Sequence, residues 1–464
     1  MTTRFIAAAL AASALSSPLL AQQVAPPPVD PRVAALRDAA LRDDTAWDIV
    51  EGLTTEVGQR MAGTEAEARA RTWSVAKLKA MGFQNVRIEP YRMPVWERGA
   101  ETAEILAPFP QKLTLAALGN SGATPAGGIT AEVVVFPTYG DLLAAPAGSL
   151  TGRIAYVGNA MQPTQDGSSY GAFGPARFTG PAVAAQKGAV AIVIRSIGTD
   201  HHRFPHTGTT TFPEGVKPIP AAALSVPDAE QLERIAARGK PVRMKLVLTP
   251  RRTGIRESGN VIAEVPGTDP NAGIVLVGGH LDSWDLGTGA IDDASGIAIT
   301  AAAAKRIMDA GRPRRTIRVV WFGAEEVGGF GGAEYAKAHA GDRHATASES
   351  DFGADRIWRF EVNLPDSARA VGDRLQTALA PLGIVRGPGV AGDGTDIGPT
   401  LGLGVAGIDL NQSGLDYFDT HHTPDDTIDR IDPQALRQNV AAWTAMLAVV
   451  ANAPEEIGSV KPTR

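Results

Sequence analysis

Residues 275–296 read VLVGGHLDSWDLGTGAIDDASG, in which a short apolar run passes into a glycine-rich turn. The turn carries one histidine and four aspartates, namely His280, Asp282, Asp285, Asp292 and Asp293. In open α/β sheets the carboxyl ends of the strands form the ligand-binding crevice, because the chain leaves the packed layer there and its side chains can converge. A histidine and several carboxylates at such a strand end predict a metal site.

The sequence that follows predicts an α/β fold. From residue 260 onward strand-like runs alternate with helical segments, which indicates a mixed, mainly parallel sheet with helices on both faces. Two other runs end as the first one does. TIRVVWFGAEE ends in Glu325 and Glu326, and the run at 405–410 leads to DTHHTPDDT, which contains His422. Asp351 lies in SESDFG, before which no strand is evident. Parallel strands end at one edge of a sheet, so we expect these side chains to meet.

The middle of the chain has a different amino-acid composition. Residues 120–250 are rich in Gly, Ala, Pro and Thr and contain short strand-like runs such as AEVVVF and AVAIVI. Short strands separated by turn signals indicate a β-rich domain. We therefore expect this domain to be inserted between two parts of a catalytic domain, residues 33–119 and 251–464.

The composition excludes several classes of function. The 464 residues contain no cysteine, which rules out disulfides, thiolate metal sites and a cysteine nucleophile. There are 44 Lys and Arg against 50 Asp and Glu, a net charge of −6, and no long basic run, so nucleic acid is not an expected partner. Beyond the N-terminal segment no stretch offers about 18 consecutive apolar residues, so we predict no membrane span.

The N-terminal segment predicts export. Residues 1–21 combine an early arginine, an alanine-rich apolar stretch and a small residue at the end, which is typical of a signal peptide cleaved after Ala21. Residues 22–32 form a proline-rich spacer. We expect the mature protein in a bacterial periplasm or secreted from the cell.

The candidate ligands indicate which metal they would hold. Histidine with carboxylates suits Zn²⁺, with Mn²⁺ or Co²⁺ as substitutes, whereas Ca²⁺ and Mg²⁺ prefer shells of oxygen alone. The candidates outnumber the four ligands that one zinc ion needs. Two ions about 3.5–4 Å apart would use the surplus. Glu325 and Glu326 would have different roles, because successive strand residues point in opposite directions unless a turn intervenes. One would bind metal and the other would take a proton from water.

Five motifs carry a resemblance to a known family. In this order HLDSWD, GAIDDASG, WFGAEEVGG, ESDFG and HHTPDDT resemble the motifs of the zinc aminopeptidase and carboxypeptidase family with co-catalytic metal ions. The likeness extends to GTEAEARARTWSVAKLKAMGF, PVWERGAE, GITAEVVVF and FPHTGTTTFPEGVKPIPAA. It implies a zinc exopeptidase fold, a protease-associated domain at residues 120–250, two zinc ions per chain and a homodimer.

The resemblance also implies which residues hold the metal ions. Asp292 would bridge the two ions. His280 and Asp351 would complete one site, and Glu326 and His422 the other.

Two further residues receive catalytic roles from the same resemblance. Glu325 matches the general base, and Asp282 matches an acid that orients His280. A metal-bound imidazole usually donates its other N–H to such a group. His421 competes with His422 for the ligand position, but His422 has the spacing that matches the family.

The sequence predicts an exported di-zinc exopeptidase for dipeptides or short peptides. An aminopeptidase acting on longer peptides is one alternative, and a non-catalytic binding ectodomain of the same fold is another; the presence of all five ligand positions and Glu325 counts against the second. A single-zinc cyclase of related fold is disfavoured by the full ligand set. The sequence leaves open the roles of His206, Asp396 and Tyr417, and no residue identifies a clamp for the amine or carboxylate of a substrate.

Overall fold

The computed structural model describes residues 29–392 and 394–460. The predicted signal peptide and most of the proline-rich spacer lie outside these residues. The strands are β1 (Gln84–Glu97), β2 (Glu101–Ala107), β3 (Gln111–Leu113), β4 (Leu115–Ala117), β5 (Ile129–Phe136), β6 (Ile154–Val157), β7 (Ala191–Arg195), β8 (Ala221–Leu224), β9 (Arg243–Leu248), β10 (Arg251–Val265), β11 (Ile274–His280), β12 (Thr316–Phe322), β13 (His344–Glu349), β14 (Ile357–Asn363), β15 (Val385–Arg386) and β16 (Ala406–Gln412).

The helices are α1 (Pro31–Ala40), α2 (Thr45–Glu56), α3 (Glu65–Ala80), α4 (Tyr139–Ala144), α5 (Ser168–Phe173), α6 (Pro175–Phe178), α7 (Gly180–Gln186), α8 (Val226–Ala236), α9 (Ser295–Asp309), α10 (Phe330–Ala338), α11 (Arg369–Leu379), α12 (Gly398–Leu401), α13 (Tyr417–Thr420) and α14 (Pro433–Val450). Local sequence sets the ends of α3. The Thr64 side chain accepts a hydrogen bond from the N–H of Glu67 (3.3 Å), and Gly82 follows the helix with a φ of 92°. None of the helices in the described part of the chain is long and apolar enough to cross a membrane.

The first sheet confirms the predicted mixed, mainly parallel arrangement. Its order is β1-β10-β12-β11-β13-β16-β14-β15. The central strands β12, β11, β13 and β16 run parallel, and β10 and β14 flank them in antiparallel orientation. β13, which the sequence did not reveal, fills the gap before Asp351.

Helices cover both faces of this sheet. Val275 and Val277 of β11 belong to the core that includes α9 and α14, whereas Leu276 between them packs with Tyr335 of α10. Because side chains alternate in direction along a strand, the two cores lie on opposite faces. The continuous apolar run at the start of β11 follows from burial on both faces of the sheet.

The second sheet has the order β3-β2-β9-β5-β6-β7-β8-β4 and lies between β1 and β10 in the sequence. It begins at Glu101, which pairs with Leu248, whereas the predicted insertion begins at residue 120. The alternation in β2 is visible in the sequence, but its pairing with β9 is a long-range contact that local patterns do not report. Helices α4 to α8 accompany this sheet.

Candidate metal centre

The carboxyl ends of three parallel strands lie side by side at the centre of the first sheet. β11 ends at His280, which pairs with Phe322 at the end of β12. On the other side of β11, β13 ends at Glu349, just before Asp351. The chain leaves the sheet at the same edge in all three places, and the side chains that follow converge there.

One group of ligand atoms gathers around His280. Its Nε2 lies 3.0 Å from Oδ1 of Asp292 and 3.4 Å from Oδ1 of Asp351. These three side chains are close enough to share one metal ion. The other ring nitrogen, Nδ1, donates to the backbone carbonyl of Asp282 (2.9 Å), which directs Nε2 toward the carboxylates.

A second group shares Asp292. Nε2 of His422 lies 3.1 Å from Oδ2 of Asp292 and 3.0 Å from Oε2 of Glu326. Nε2 of His421 is also near Oδ2 of Asp292, at 3.6 Å, and the two imidazole rings stack. His422 approaches both carboxylates and therefore suits a ligand position between them better than His421. Asp292 offers one oxygen to each group, as a bridging carboxylate would.

The electrostatics of this cluster favour a bound cation. Burial raises the pKa of Glu326 and of Asp351, and the neighbouring carboxylates add to the effect. Although burial also opposes ionisation of Asp292, hydrogen bonds from His280 and His422 hold its pKa well below the usual range. Oε1 of Glu326 is buried without a hydrogen-bond partner among the described residues. Divalent ions would neutralise these carboxylates, and a set of imidazole and carboxylate donors fits zinc.

Glu325 and Glu326 both reach the site although they are neighbours. β12 ends at Phe322, and the positive φ of Ala324 (58°) turns the chain before the pair, so strand alternation does not separate them. Glu326 contacts His422, whereas the side chain of Glu325 lines the open cavity. One carboxylate is thus placed among the ligands and the other beside the space where a substrate would bind.

The carboxylate of Asp282 lies near His280 and is hydrogen-bonded to Glu325. Its Oδ1 lies 3.8 Å from Nδ1 of His280 and accepts instead from the backbone N–H of Glu325 (3.1 Å). The bond to the imidazole comes from the Asp282 carbonyl, because the turn after β11 brings this oxygen closer to the ring. Asp282 therefore orients His280 through its backbone and fixes Glu325 through its side chain.

Asp293 and two glycines hold in place the loop that carries His280 and Asp292. The Asp293 carboxylate accepts from the N–H of His280 (3.0 Å) and of Gly296 (2.9 Å). A Cβ on Gly279 would lie 2.2 Å from Oδ2 of Asp293, and one on Gly296 would lie 1.8 Å from the carbonyl oxygen of Ser350. The glycines quoted in the opening stretch are thus required for close approach around a buried carboxylate.

Arg60 is a supporting residue that sequence reasoning missed. It is completely buried, and its guanidinium donates to the carbonyls of Leu281, Thr288 (2.6 Å) and Gly289 (2.8 Å). These carbonyls belong to the loop between His280 and Asp292. An arginine before α3 carries no local signal of this contact, because the loop lies more than 220 residues away in the sequence.

The structure places three residues whose roles the sequence left open. Tyr417 is buried in the wall of the cavity. Asp396 lies behind that wall, and its N–H donates to the carboxylate of Glu349 (3.1 Å). His206 lies behind His421, whose backbone carbonyl accepts from Nδ1 (2.7 Å).

A cavity of about 610 Å³ opens onto the ligand groups. Its lining includes Glu325 and four of the candidate ligands, together with Tyr170, Phe178 and Thr209 from the region of the second sheet; the four are Asp292, Glu326, Asp351 and His422. Its volume falls within the range of small-molecule pockets, roughly 300–1,000 Å³. Both sheets therefore contribute to the space in which chemistry would occur.

Known proteins share both this sequence and this architecture. The profile of peptidase family M28 matches residues 260–447. Carboxypeptidase Q from Bos taurus is 36% identical over 406 residues, which cover 87% of this chain and 84% of the relative. This chain belongs to peptidase family M28. The family resemblance predicted from the site motifs is confirmed, and the similarity to carboxypeptidase Q extends over most of the chain.

Solved structures of M28 peptidases show the same fold. A peptidase M28 precursor from Shewanella amazonensis SB2B has a TM-score of 0.90 at 46% identity, covering 93% of this chain and 98% of that one. A zinc aminopeptidase from Bacillus subtilis has a TM-score of 0.64 at 20% identity, covering 90% and 98%. The sequence relatives of this M28 chain are peptidases, and the predicted α/β fold is confirmed.

Proposed function

We propose that the protein is an exported di-zinc exopeptidase that hydrolyses dipeptides or short peptides. The observation that carries this proposal is the pair of candidate ligand groups that share Asp292 beside a cavity lined by Glu325. The similarity to carboxypeptidase Q supports a peptide as substrate. The size of the cavity favours a short one.

The residues around the cavity have the chemistry for peptide hydrolysis. Zinc held by the two ligand groups would supply Lewis acidity, which polarises a carbonyl and makes water easier to ionise. Glu325 takes a proton from the attacking water as the oxygen joins the carbonyl carbon. The C–N bond then breaks, and Glu325 passes the proton to the departing amine. Asp282 holds the Glu325 backbone, which limits how far the base can move.

Two matched variants test this division of labour. Glu325→Gln should lower kcat by about 10²- to 10⁴-fold, because a positioned base is lost, while zinc content stays unchanged. Glu326→Gln makes the same chemical change one residue along and should instead reduce zinc content. Zinc analysis and turnover of a dipeptide would be measured for both. Near-normal turnover by Glu325→Gln would refute the assignment of the base.

Blocked peptides test the substrate class. A free dipeptide, its N-acetyl and C-amide derivatives, and a tetrapeptide would be compared with the purified protein. We expect the free dipeptide to be cleaved best. Faster release of the N-terminal residue from the tetrapeptide would favour an aminopeptidase for longer peptides, an alternative suggested by the shared fold of the zinc aminopeptidase from Bacillus subtilis. Zinc binding without cleavage of any peptide would favour the binding ectodomain.

Export, the inserted domain and dimerisation belong to the same proposal. N-terminal sequencing of the mature protein should begin at Gln22 if the signal peptide is removed after Ala21. The segment that carries the second sheet would be the protease-associated domain. Light scattering should give the mass of two chains if the protein forms a homodimer.

A further inference from the structure

A loop from the second sheet lies against the turn that carries His421 and His422. The loop connects β7 and β8 and includes Thr207. The N–H of Thr207 donates to the carbonyl of His422 (3.1 Å), and Nδ1 of His422 donates to the carbonyl of Thr207 (3.2 Å). These two bonds fix the ring, so that Nε2 faces Asp292 and Glu326.

His206 extends the same contact to the neighbouring histidine. Its Nδ1 donates to the backbone carbonyl of His421 (2.7 Å), and its Nε2 lies 2.5 Å from Oδ1 of Asp200. The side chain is fully buried, and a Cβ on Gly198 would lie 2.2 Å from Nε2. The loop is therefore built closely around this imidazole. Because His206 lies behind the cavity wall, substrate contact does not account for it.

Two residues of the loop, Thr199 and Thr207, make further hydrogen bonds to the region of the candidate metal centre. Thr199 donates from its N–H to the carbonyl of Phe418 (3.1 Å) and from its hydroxyl to Asp419 (2.7 Å). The hydroxyl of Thr207 accepts from Arg98 (2.9 Å). Arg98 also donates to both carboxylate oxygens of a residue in the loop between His280 and Asp292, at 2.8 and 2.9 Å, namely Asp285. The loop thus contacts the turn that carries His422 and, through Arg98, the loop between His280 and Asp292.

The two histidine ligands differ in what orients them. His280 donates to the carbonyl of Asp282, two residues along the chain, whereas His422 donates to a carbonyl 215 residues away. Losing the group that orients a metal-bound imidazole typically weakens metal affinity by about 10- to 100-fold. A disturbance of the loop should therefore affect the His422 side selectively.

We propose that His206 and Thr199 are positioning residues for the zinc ion held by Glu326 and His422, so that a loop of the second sheet controls occupancy of one of the two ions. This inference rests on the proposed di-zinc centre. It assigns to the region of the second sheet a role in metal retention, in addition to its part in lining the cavity.

Two replacements of His206 separate its hydrogen bonds. In His206→Asn the amide nitrogen lies near the former Nδ1 and can still donate to His421, whereas in His206→Gln it lies near the former Nε2 and faces Asp200. His206→Gln should weaken one ion by about 10- to 100-fold and leave the other unchanged. His206→Asn should retain most of the affinity. His201→Gln, the same substitution at an exposed position of the same loop, is the matched control.

Zinc affinity is the decisive readout. Chelator titration of each protein, followed by zinc analysis, would give the two affinities, and anomalous diffraction at the zinc edge would show which ion is lost. We expect loss of the ion between Glu326 and His422 in His206→Gln. Retention of both ions, equal loss of both, or equal behaviour of the Gln and Asn variants would overturn the inference.

Thr199→Val provides a second test of the inference if His206→Gln does not fold in excess zinc. It removes the hydroxyl bond to Asp419 from a half-buried position at nearly constant volume. It should weaken the same ion by at least about threefold; unchanged affinity would overturn the inference. A wild-type protein that binds fewer than two zinc ions or cleaves no peptide would refute the proposed function itself. Two ions in wild type with unchanged variants would refute only the positioning role.

Discussion

The candidate metal ligands form a cluster with two parts that are held by different means. Three candidates, His280, Glu326 and Asp351, follow adjacent parallel strands of the first sheet and are called the strand-end ligands. The remaining candidate histidine, His422, is called the docked ligand because its ring is oriented by Thr207 in the region of the second sheet. Strand order brings all four residues to one edge of the first sheet, whereas the orientation of the His422 ring also depends on contact with the region of the second sheet.

The largest effect should come from Asp292, which joins the two parts. Asp292→Ala removes an oxygen from each ligand group and should release both zinc ions. Activity should fall by at least about a thousandfold, because the metals account for several kcal/mol of transition-state stabilisation. Zinc analysis after dialysis and dipeptide turnover would measure both effects. Two zinc ions retained per chain would show that Asp292 does not bridge.

The packing of the strand-end ligands should be the next most sensitive feature. Gly296→Ala places a methyl group against the Ser350 carbonyl and Asp293, and we expect the free energy of unfolding to fall by about 3 kcal/mol. Gly341→Ala is the control, since a Cβ there meets no atom within 4 Å. Urea denaturation would measure both. Equal stability of the two variants would mean that the loop can relax around Gly296.

A smaller loss is expected from the arginine that supports the loop between His280 and Asp292. Arg60→Met keeps much of the volume but leaves buried carbonyls without donors, which should reduce the free energy of unfolding by about 2–3 kcal/mol. Arg69→Met, at an exposed position of α3, should change stability by less than about 0.5 kcal/mol. Zinc titration should show weaker binding at His280 than at His422. The reverse order would contradict a local role for Arg60.

The smallest effect concerns His344, at the amino end of β13 and away from both parts of the cluster. Burial lowers its pKa to about 4, and the Tyr335 hydroxyl, which accepts from Arg318 (3.2 Å), donates to Nε2 (2.8 Å). The unfolded state therefore takes up a proton first as pH falls below about 6.5, and stability is lost between there and about pH 4. His344→Gln should lessen this loss by roughly 1–2 kcal/mol.

Denaturation of wild type and His344→Gln across this range would test the prediction. Subtracting the unfolding free energy of one protein from that of the other removes the contribution of the metal ligands, which both proteins share. Identical pH profiles would show that His344 does not titrate with unfolding.

Much of the site could be read from local patterns. An apolar run followed by an acid or a histidine predicted the strand ends that carry His280 and Glu326, since burial on both faces of a parallel sheet requires such runs. Asp351 was placed by its motif alone, because β13 contains Thr, Ser and His and lacks a clear apolar pattern. Its central position in the sheet is decided by neighbours that are distant in sequence.

Other features had no local signal. The partner of the Asp282 carboxylate depends on the path of two turns, and the role of Arg60 depends on a loop that follows β11. The start of the second sheet at Glu101 depends on its pairing with Leu248. In each case the interacting groups are brought together by the fold.

The family, most of the parallel strands and residue types that suit zinc follow from the amino-acid sequence, because periodicity and motif spacing are properties of short segments. The orientation of His422 follows from the fold, since the carbonyl that accepts from its ring belongs to a segment 215 residues away. A hydrogen bond between distant segments exists only after both sheets have folded and docked. That physical condition separates the docked ligand from the strand-end ligands.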